Sequence, residues 1–473
     1  MFEQRRWPRE AWLPLSTGLL WLWCAASFGV AGFLFSLLPG CLLLASGFSA
    51  LVYPGDRRIP QYAALGGLLG IPLAVPAIFA AGPLVGFGLI LLSAASLLAA
   101  GAIAIRQERH HEEVPTPAIG LALSAQVAAD EALLATVSLA QPLPLAGDHG
   151  RIRREVHEAR RLFAERGWTE KPADYHQSPP PLTDPLLRQA RNGKLDYERL
   201  SFESGYEPRP EEPGRDRWLS YLPNRTACAW VLRHESPSRP WLVCIHGYQM
   251  GSPRWDFAAF RARHLHHRLG INLVLPVLPL HGPRKIGRVS GDGFLAADFL
   301  DTIHAEAQAM WDIRRILSWI RSQGGSRIGV HGLSLGGYNA ALLAGLDGDL
   351  AGAIAGIPAS DFSRLVWRHG PRLQIRYAED QGLLQDEVTE VTRVVSPLAL
   401  APRVPRERRY IFGGVADQMV PPDQVRDLWR QWERPRIEWY QGGHLTFRLH
   451  QRVRMLIDDA LRECGLVAVQ APG

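Results

Sequence analysis

Hydrophobic residues are concentrated near the start of the chain, in two long uncharged stretches. Residues 11–53 contain no charged side chain, and neither do residues 59–105. A membrane-spanning helix needs about 20 apolar residues, so each stretch is long enough for two spans and too long for one. Each stretch also contains a helix-breaking pair near its middle, Pro39-Gly40 in the first and Gly82-Pro83 in the second. The pattern predicts an all-α transmembrane region over residues 1–110, with about four helices arranged as two hairpins.

The positive charges around these stretches predict the orientation of the chain. Arginines precede the first hairpin, separate the two hairpins and follow the second, whereas the turns inside the hairpins carry no charge. These residues are Arg5, Arg6, Arg9, Arg57, Arg58, Arg106 and Arg109. Since basic residues favour the cytoplasmic side of a membrane, we expect an integral membrane protein whose large C-terminal part faces the cytoplasm.

The pattern changes twice after this region. Residues 111–196 predict a helical and linker segment, with an alanine- and leucine-rich helix at 118–139, a mixed-charge helix at 151–166 and proline-rich stretches. From residue 197 onward, short runs rich in valine and isoleucine alternate with longer helical patterns. This alternation predicts an α/β catalytic domain over residues 197–473, with a mostly parallel sheet flanked by helices. Ligand sites in such sheets lie at the carboxyl ends of the strands.

The strongest motif lies at one of these strand ends. Gly332-Leu333-Ser334-Leu335-Gly336 fits the pattern G-x-S-x-G and falls between a short strand and a helical pattern. A nucleophile elbow requires that context, because the serine must project from a tight turn while the glycines let neighbouring backbone approach. The alternative is a glycine-rich turn in which the serine only caps a helix. We predict that Ser334 is a nucleophile.

A serine hydroxyl becomes a good nucleophile only when a base accepts its proton and a third group orients that base. Asp417 and His444 each follow a predicted strand, so both belong at the same edge of the sheet as Ser334. We predict His444 as the general base and Asp417 as the acid that orients it. Other polar residues compete for these roles, namely Asp361 and Asp423 for the acid and His450 for the base.

A tetrahedral oxyanion requires two backbone donors. One is expected to be the amide of Leu335, which follows the nucleophile, and the other comes from the loop after an earlier strand. In that loop the Tyr248 amide is the expected donor, with the Gln249 amide as the alternative. We predict that Gly247, Gln249 and His281 line the rim of the substrate site.

An insertion at residues 358–407 separates two predicted strands. It contains aromatic and basic side chains, which include Trp367, Arg368, His369 and Arg376. We expect a cap or lid over the substrate site. A solvated surface insertion is the alternative.

Composition excludes several function classes. The net charge is +6 and the pI is near 9.2, but no helix-turn-helix, zinc-finger or RNA-binding pattern accompanies the arginines, so we expect no nucleic-acid partner. The five cysteines form no CxxC pair, and a disulfide framework is not expected. No zinc-ligand spacing, P-loop or dinucleotide fingerprint occurs, so we expect neither a metal nor a cofactor.

Residues 226–460 resemble the α/β-hydrolase superfamily, in particular its esterase- and lipase-like serine hydrolases. The resemblance is carried by four segments in the family's order: His246-Gly247, Gly332 to Gly337, Gly413 to Asp417, and Gly442-Gly443-His444. It implies the α/β-hydrolase fold and a triad of Ser334, Asp417 and His444. The membrane region lies outside the resemblance.

These patterns together predict a membrane-anchored serine hydrolase that cleaves small-molecule or lipid-like carboxylic esters through an acyl-serine intermediate. Three alternatives stay open. The same triad also serves serine peptidases and acyltransferases, and a hydrolase fold can be an inert membrane scaffold. Oligomeric state and natural substrate are not predicted.

Overall fold

The structure of the chain is a computed structural model that describes residues 11–27, 29–53, 55–140, 146–236, 239–295 and 298–467. The chain folds into two compact units. The first unit contains the N-terminal residues up to 141 together with residues 414–423 and 439–450. The second unit contains the rest of the chain.

In the N-terminal part of the first unit, the regular secondary structure of the described residues is helical. Its helices are α1 (Trp12–Ser27), α2 (Gly29–Val52), α3 (Arg58–Leu73), α4 (Val75–Ala80), α5 (Pro83–Gln107) and α6 (Leu121–Ala140). The predicted interruption at Gly82 is confirmed, because Gly82 has a φ of 90° directly before α5. The predicted turn at Pro39-Gly40 is wrong, because Pro39 lies inside α2. An apolar helix tolerates a proline where its surroundings satisfy the freed backbone groups, and the break falls instead at Gly29, whose φ is 66°.

Three helical segments of the described residues are long and apolar enough to cross a membrane. They are Gly32–Val52, Pro83–Gln107 and Leu121–Ser138. Helix α1 has 16 residues and is therefore only about 24 Å long, less than the roughly 30 Å of a bilayer core. Two of the three candidate spans lie within residues 1–110 and the third lies in α6, and the division of residues 1–110 into about four spans stays a prediction.

Small residues and buried polar contacts hold these helices together. A Cβ added to Gly18 would meet the backbone of Leu44, so α1 and α2 approach closely. The Trp21 indole donates to the Ser93 hydroxyl at 3.1 Å, and the Ser96 hydroxyl donates to Thr17 at 3.1 Å. Small residues and interhelical hydrogen bonds are the usual means of packing apolar helices.

The remainder of the chain alternates helices with strands. The helices are α7 (Ala146–Glu165), α8 (Arg215–Ser220), α9 (Pro253–Ala259), α10 (Phe299–Ser322), α11 (Leu335–Leu346), α12 (Phe362–His369), α13 (Arg372–Asp380), α14 (Gln385–Thr392), α15 (Pro422–Gln431) and α16 (Gln451–Glu463). The strands are β1 (Leu186–Asn192), β2 (Leu195–Glu203), β3 (Thr226–Leu232), β4 (Trp241–Ile245), β5 (Asn272–Pro276), β6 (Ile328–Leu333), β7 (Gly352–Gly356), β8 (Arg409–Gly414) and β9 (Arg436–Tyr440).

The strands form one sheet in the order β1-β2-β3-β5-β4-β6-β7-β8-β9. Strands β1, β2, β3 and β5 pair antiparallel, and the pairs from β5 through β4, β6 and β7 to β8 are parallel. The central strands β4 and β6 are buried along their whole length, as expected when helices cover both faces of a parallel sheet. This arrangement is an α/β-hydrolase fold, and the predicted fold class is confirmed.

Two segments refine the predicted boundaries. Strand β1 begins at Leu186, before the predicted start of the catalytic domain at 197, because its alternating polar residues lack the valine-rich pattern of a buried strand. The insertion at 358–407 consists of α12, α13 and α14 with short connections.

Candidate active site

Ser334 occupies a strained backbone position between β6 and α11. Its φ is 58° and its ψ is −116°, a conformation that non-glycine residues adopt rarely and at a cost of about 1–3 kcal/mol. Its amide donates to the Gly356 carbonyl at 2.9 Å, which fixes the turn to the neighbouring strand β7. The sequence pattern predicted a nucleophile elbow here, and this backbone geometry is the one such an elbow requires.

The glycines of the motif are needed because the backbone is crowded around the serine. A Cβ on Gly332 would collide with the Gly336 carbonyl oxygen, and a Cβ on Gly336 would collide with the Ile245 carbonyl oxygen. Neither neighbour is a flexible side-chain end that could move aside. The tight turn is therefore possible only with glycine on both sides of Ser334.

Two backbone segments lie next to the serine. Leu335 is the first residue of α11, and the first amides of a helix lack intrahelical acceptors. Gly247 follows β4, and a Cβ built on it would lie 3.4 Å from the Ser334 Cβ. The loop that contains Tyr248 and Gln249 therefore starts beside the serine, and Gln249 itself has a φ of 61°.

Two buried histidines support this loop. His246 accepts the Leu278 amide at Nε2, at 3.1 Å, so its Nδ1 donates to the Gly247 carbonyl at 2.8 Å. His281 is fully buried, with its ring against Tyr248, and it does not lie at an open rim as the sequence predicted. Burial lowers the pKa of His246 to about 4 and that of His281 to about 3, so both rings are neutral.

Asp417 and His444 form a buried pair. The Nδ1 atom of His444 lies 2.6 Å from the Asp417 Oδ2 atom. The other oxygen of Asp417 accepts the amides of Met419 at 2.9 Å and Val420 at 2.8 Å. Both partners are at least nine-tenths buried, so solvent screens their attraction little.

The surroundings of His444 favour its protonated form. Burial lowers the pKa of His444, but the Asp417 carboxylate and, more weakly, Asp130 raise it, and the resulting pKa lies above the ordinary 6.5. A base of this kind accepts a proton readily and holds it as an ion pair.

Asp130 is a residue near the pair that sequence reasoning missed. It lies on α6, is fully buried, and accepts the His444 amide at 2.5 Å and the Leu445 amide at 3.1 Å. The one sequence feature that could have indicated it is the acidic pair Asp130-Glu131 within an alanine- and leucine-rich helix, since acidic residues in such helices often mark a functional position.

The rival residues have other contacts. Asp361 caps α12, where it accepts the Arg364 amide at 3.0 Å. Asp423 lies in the first turn of α15. His450 packs its ring against Tyr440 with centroids 4.6 Å apart. The structure therefore pairs His444 with Asp417, and their catalytic roles stay predictions.

The predicted site residues are distributed over both units. Ser334, Leu335, Gly247, Tyr248, Gln249 and His281 belong to the second unit, and Asp417 and His444 belong to the first. Each of the three predicted triad residues follows the carboxyl end of a strand, β6, β8 and β9 respectively.

The sheet order and the strained serine after β6 give this protein the α/β-hydrolase fold. The chain belongs to the family of the uncharacterized protein Rv2627c of Mycobacterium tuberculosis strain ATCC 25618 / H37Rv, with 43% identity over 358 residues, 75% of this chain and 86% of that protein. The uncharacterized protein MT2702 of strain CDC 1551 / Oshkosh is also 43% identical over 358 residues, with the same coverage. No protein-family model matches the chain.

Solved structures are similar to the chain at low sequence identity. Acetyl xylan esterase 1 from Thermoanaerobacterium sp. JW/SL YS485 is 16% identical, covers 62% of this chain and 98% of its own, and has a TM-score of 0.43. The acylaminoacyl peptidase of Pyrococcus horikoshii is 16% identical, covers 59% of this chain and 41% of its own, and has a TM-score of 0.37. Similarity at this level does not indicate the substrate.

Proposed function

We propose that this protein is a membrane-anchored serine hydrolase that cleaves carboxylic esters, small or lipid-like, through an acyl-serine intermediate. The observation that carries the proposal is the strained backbone of Ser334 at the carboxyl end of β6, with a φ of 58°. Folding tolerates such strain when the residue has a function that requires it.

In the proposed first step, the Ser334 Oγ attacks the ester carbonyl carbon while its proton passes to Nε2 of His444. A C–O bond to the serine forms, and the carbonyl π electrons move to the oxygen. When the tetrahedral intermediate collapses, the bond to the alcohol oxygen breaks, and that oxygen takes the proton from His444. The products of this half-reaction are a free alcohol and an acyl-serine.

In the second step, water attacks the acyl-serine. His444 accepts a proton from the water, and the C–O bond to Ser334 breaks. The serine oxygen then recovers the proton, and a carboxylic acid is released. Asp417 keeps the histidine in the tautomer with hydrogen on Nδ1, which leaves Nε2 ready to accept a proton.

The amides of Leu335 and Tyr248 are the proposed donors to the oxyanion. Gly247 supports this assignment because its backbone lies next to the Ser334 Cβ. Loss of one such donor in an oxyanion hole typically costs about 3 kcal/mol of transition-state stabilisation.

Membrane anchoring through the N-terminal helices is part of the proposal. The candidate spans Gly32–Val52 and Pro83–Gln107 have the required length and hydropathy, and many large apolar side chains of α1, α2 and α5 are exposed, including Leu34, Phe48, Leu84 and Leu91. The third apolar segment, in α6, packs against residues 415–416 and 444–446 instead and is not counted as an anchor. An exposed apolar surface of this extent is unusual in water. An enzyme held at a membrane meets lipid-like esters directly, which favours that substrate class.

Labelling with a fluorophosphonate probe tests the proposed nucleophile. Membranes that contain the wild-type protein should be labelled, and the Ser334→Ala variant should lose all labelling. The matched control is Ser322→Ala, at the end of α10, which should be labelled like the wild type. Equal labelling of Ser334→Ala, or no labelling of the wild type, would overturn the proposal.

A substrate panel then tests the reaction class. Nitrophenyl esters of increasing acyl length should be hydrolysed, and peptide amides should not. Added alcohol should leave the carboxylic acid as the main product. Cleavage of peptides, or transfer of the acyl group to the alcohol, would replace the esterase assignment by peptidase or acyltransferase.

A further inference from the structure

The loops that carry the predicted acid and base pack on two helices of the first unit. Val415 and Ala416, which precede Asp417, belong to a buried apolar cluster with residues of α5 and α6. Their partners in that cluster are Ala104, Ile105, Leu123 and Val127. The conformation of the acid loop thus depends on helices that begin far away in the sequence.

The histidine loop is attached to the same helices by hydrogen bonds. The two carboxylate oxygens of Asp130 accept one amide each, from His444 at 2.5 Å and from Leu445 at 3.1 Å. Gln126, one turn earlier on α6, accepts the Thr446 hydroxyl at 2.7 Å. Four residues apart on a helix, Gln126 and Asp130 share one face, so α6 presents a polar edge to the loop.

A third contact lies before α6. The Gln441 side chain accepts the Ala118 amide at 2.8 Å and donates to the Thr116 carbonyl at 3.2 Å. The loop from Gln441 to Thr446 is therefore held at several points by residues 116–130.

The histidine loop also packs closely against the side chains of α6. A Cβ on Gly443 would collide with the Asp130 carboxylate, and a Cβ on Gly442 would lie 2.8 Å from the Gln126 Oε1 atom. The two glycines before His444 therefore let the loop lie close to these α6 side chains without displacing them. The carboxylate of Asp130 is fully buried, and burial of such a group is tolerated only when its hydrogen bonds are satisfied.

We propose that Asp130 is a positioning residue of the active site, which fixes the backbone of the catalytic His444 from helix α6. This inference rests on the proposed function, and it makes the N-terminal helices part of the catalytic machinery in addition to an anchor. Asp130 acts through the amides of His444 and Leu445 and takes no part in the bond-making steps.

The electrostatic surroundings of His444 give the inference a second readout. The titratable groups around the histidine loop are Asp417, Asp130, Tyr440 and His450. Burial and the nearby Asp417 carboxylate raise the pKa of Asp130 to about 7, so near neutral pH its carboxyl group is ionised in only part of the molecules. That charge is the smallest of the causes that raise the pKa of His444. Its removal lowers the histidine pKa slightly, so the neutral, proton-accepting form persists to lower pH.

The test uses the full chain in membranes, with the fluorophosphonate labelling rate followed across pH. The Asp130→Asn variant keeps the size of the side chain, but its amide nitrogen cannot accept the second backbone amide. We expect the labelling rate to fall roughly tenfold to a hundredfold, as misplacement by about 1 Å typically causes, and the acid limb of the pH profile to move to lower pH.

Two further variants separate charge, geometry and general damage. Asp130→Glu keeps the charge but lengthens the side chain, so its rate should fall while its pH midpoint stays near the wild-type value. Glu131→Gln changes the neighbouring buried acid of the same helix, and because adjacent helical residues face different directions, both rate and midpoint should be unchanged.

Hydrogen exchange provides a readout that does not depend on activity. Amides in residues 441–447 should exchange at least tenfold faster in Asp130→Asn than in the wild type, and at the wild-type rate in Glu131→Gln. Unchanged exchange and unchanged labelling in Asp130→Asn would overturn the positioning role while leaving the nucleophile assignment intact. If the wild type were not labelled at all but exchange increased, the hydrolase proposal would fail and the ordering of the loop by Asp130 would stand.

Discussion

The two carboxylate oxygens of Asp417 have different hydrogen-bond partners. One oxygen accepts the amides of Met419 and Val420 from its own loop, and the other meets the His444 Nδ1 atom at 2.6 Å. The carboxylate is thus held by its own loop before it orients the histidine. Such preorganisation reduces the reorganisation needed during the reaction.

This geometry predicts the effect of Asp417→Asn. An asparagine amide can donate to Nδ1 and stabilise the wrong histidine tautomer, so the labelling rate and esterase activity should fall by roughly ten-thousandfold. The matched control is Asp361→Asn, which changes the N-cap of α12 and should have little effect on stability or rate, because asparagine caps helices about as well as aspartate does. Comparable activity losses in both variants would contradict the assigned role of Asp417.

The residues found from sequence alone are those with a local pattern. Ser334 has glycines at fixed offsets, Asp417 comes three residues after the pair Gly413-Gly414, and His444 directly follows the pair Gly442-Gly443. Their catalytic roles stay predictions. Asp130 has no such pattern, because its partner His444 is 314 positions away, and only packing of the helices brings the two together.

At the level of elements, helices α5 and α6 approach each other closely. A Cβ on Gly101 of α5 would collide with the Ser124 carbonyl of α6. Alanines continue this close contact, with Ala100, Ala128 and Ala132 in one buried cluster. Since α6 also carries Asp130, the spacing of these two helices sets where the histidine loop can lie.

The variant Gly101→Ala should therefore reduce stability, although alanine favours helices over glycine by about 1 kcal/mol. The added methyl group forces the helices apart, which typically costs about 1–3 kcal/mol. Gly88→Ala on the same helix has open space around it and should be neutral or slightly stabilising. Thermal unfolding of the detergent-solubilised variants measures the difference, and equal midpoints would refute the packing argument.

The sequence predicted the strands of the sheet better than the positions at which the apolar helices are interrupted. The short apolar runs predicted as strands after residue 197 include β3 and β4, because continuous apolar runs of this length leave few alternatives. The turn predicted at Pro39 was wrong, since proline in an apolar helix can be accommodated without a break. The actual break at Gly29 has no sequence feature that distinguishes this glycine from its neighbours.

At the scale of the whole molecule, one ion pair is relevant to the membrane orientation that the arginines predict. Arg57, before α3, contacts Glu108, after α5, at 3.1 Å. The start of α3 and the end of α5 therefore lie close together. This arrangement supports the proposal that the arginines around residues 57 and 106 share one side of the membrane.

Paired reporters fused after Ile105 test that orientation. We expect a green fluorescent reporter to be active there and an alkaline phosphatase reporter to be inactive, since the cytoplasm permits the first and not the second. Fusions after Tyr53 are the matched comparison and should give the same result. Phosphatase activity after Ile105 would mean an odd number of spans before that point.

The presence of the loops of Asp417 and His444 in the first unit, beside Asp130, has an evolutionary consequence. A descendant that lost its N-terminal helices would keep the serine elbow but lose the support of its base. If the proposed function holds, selection would act on that loss through reduced catalytic activity, in addition to the loss of membrane attachment. Gene fusions that exchange this N-terminal region for an unrelated anchor should for that reason be rare in the family.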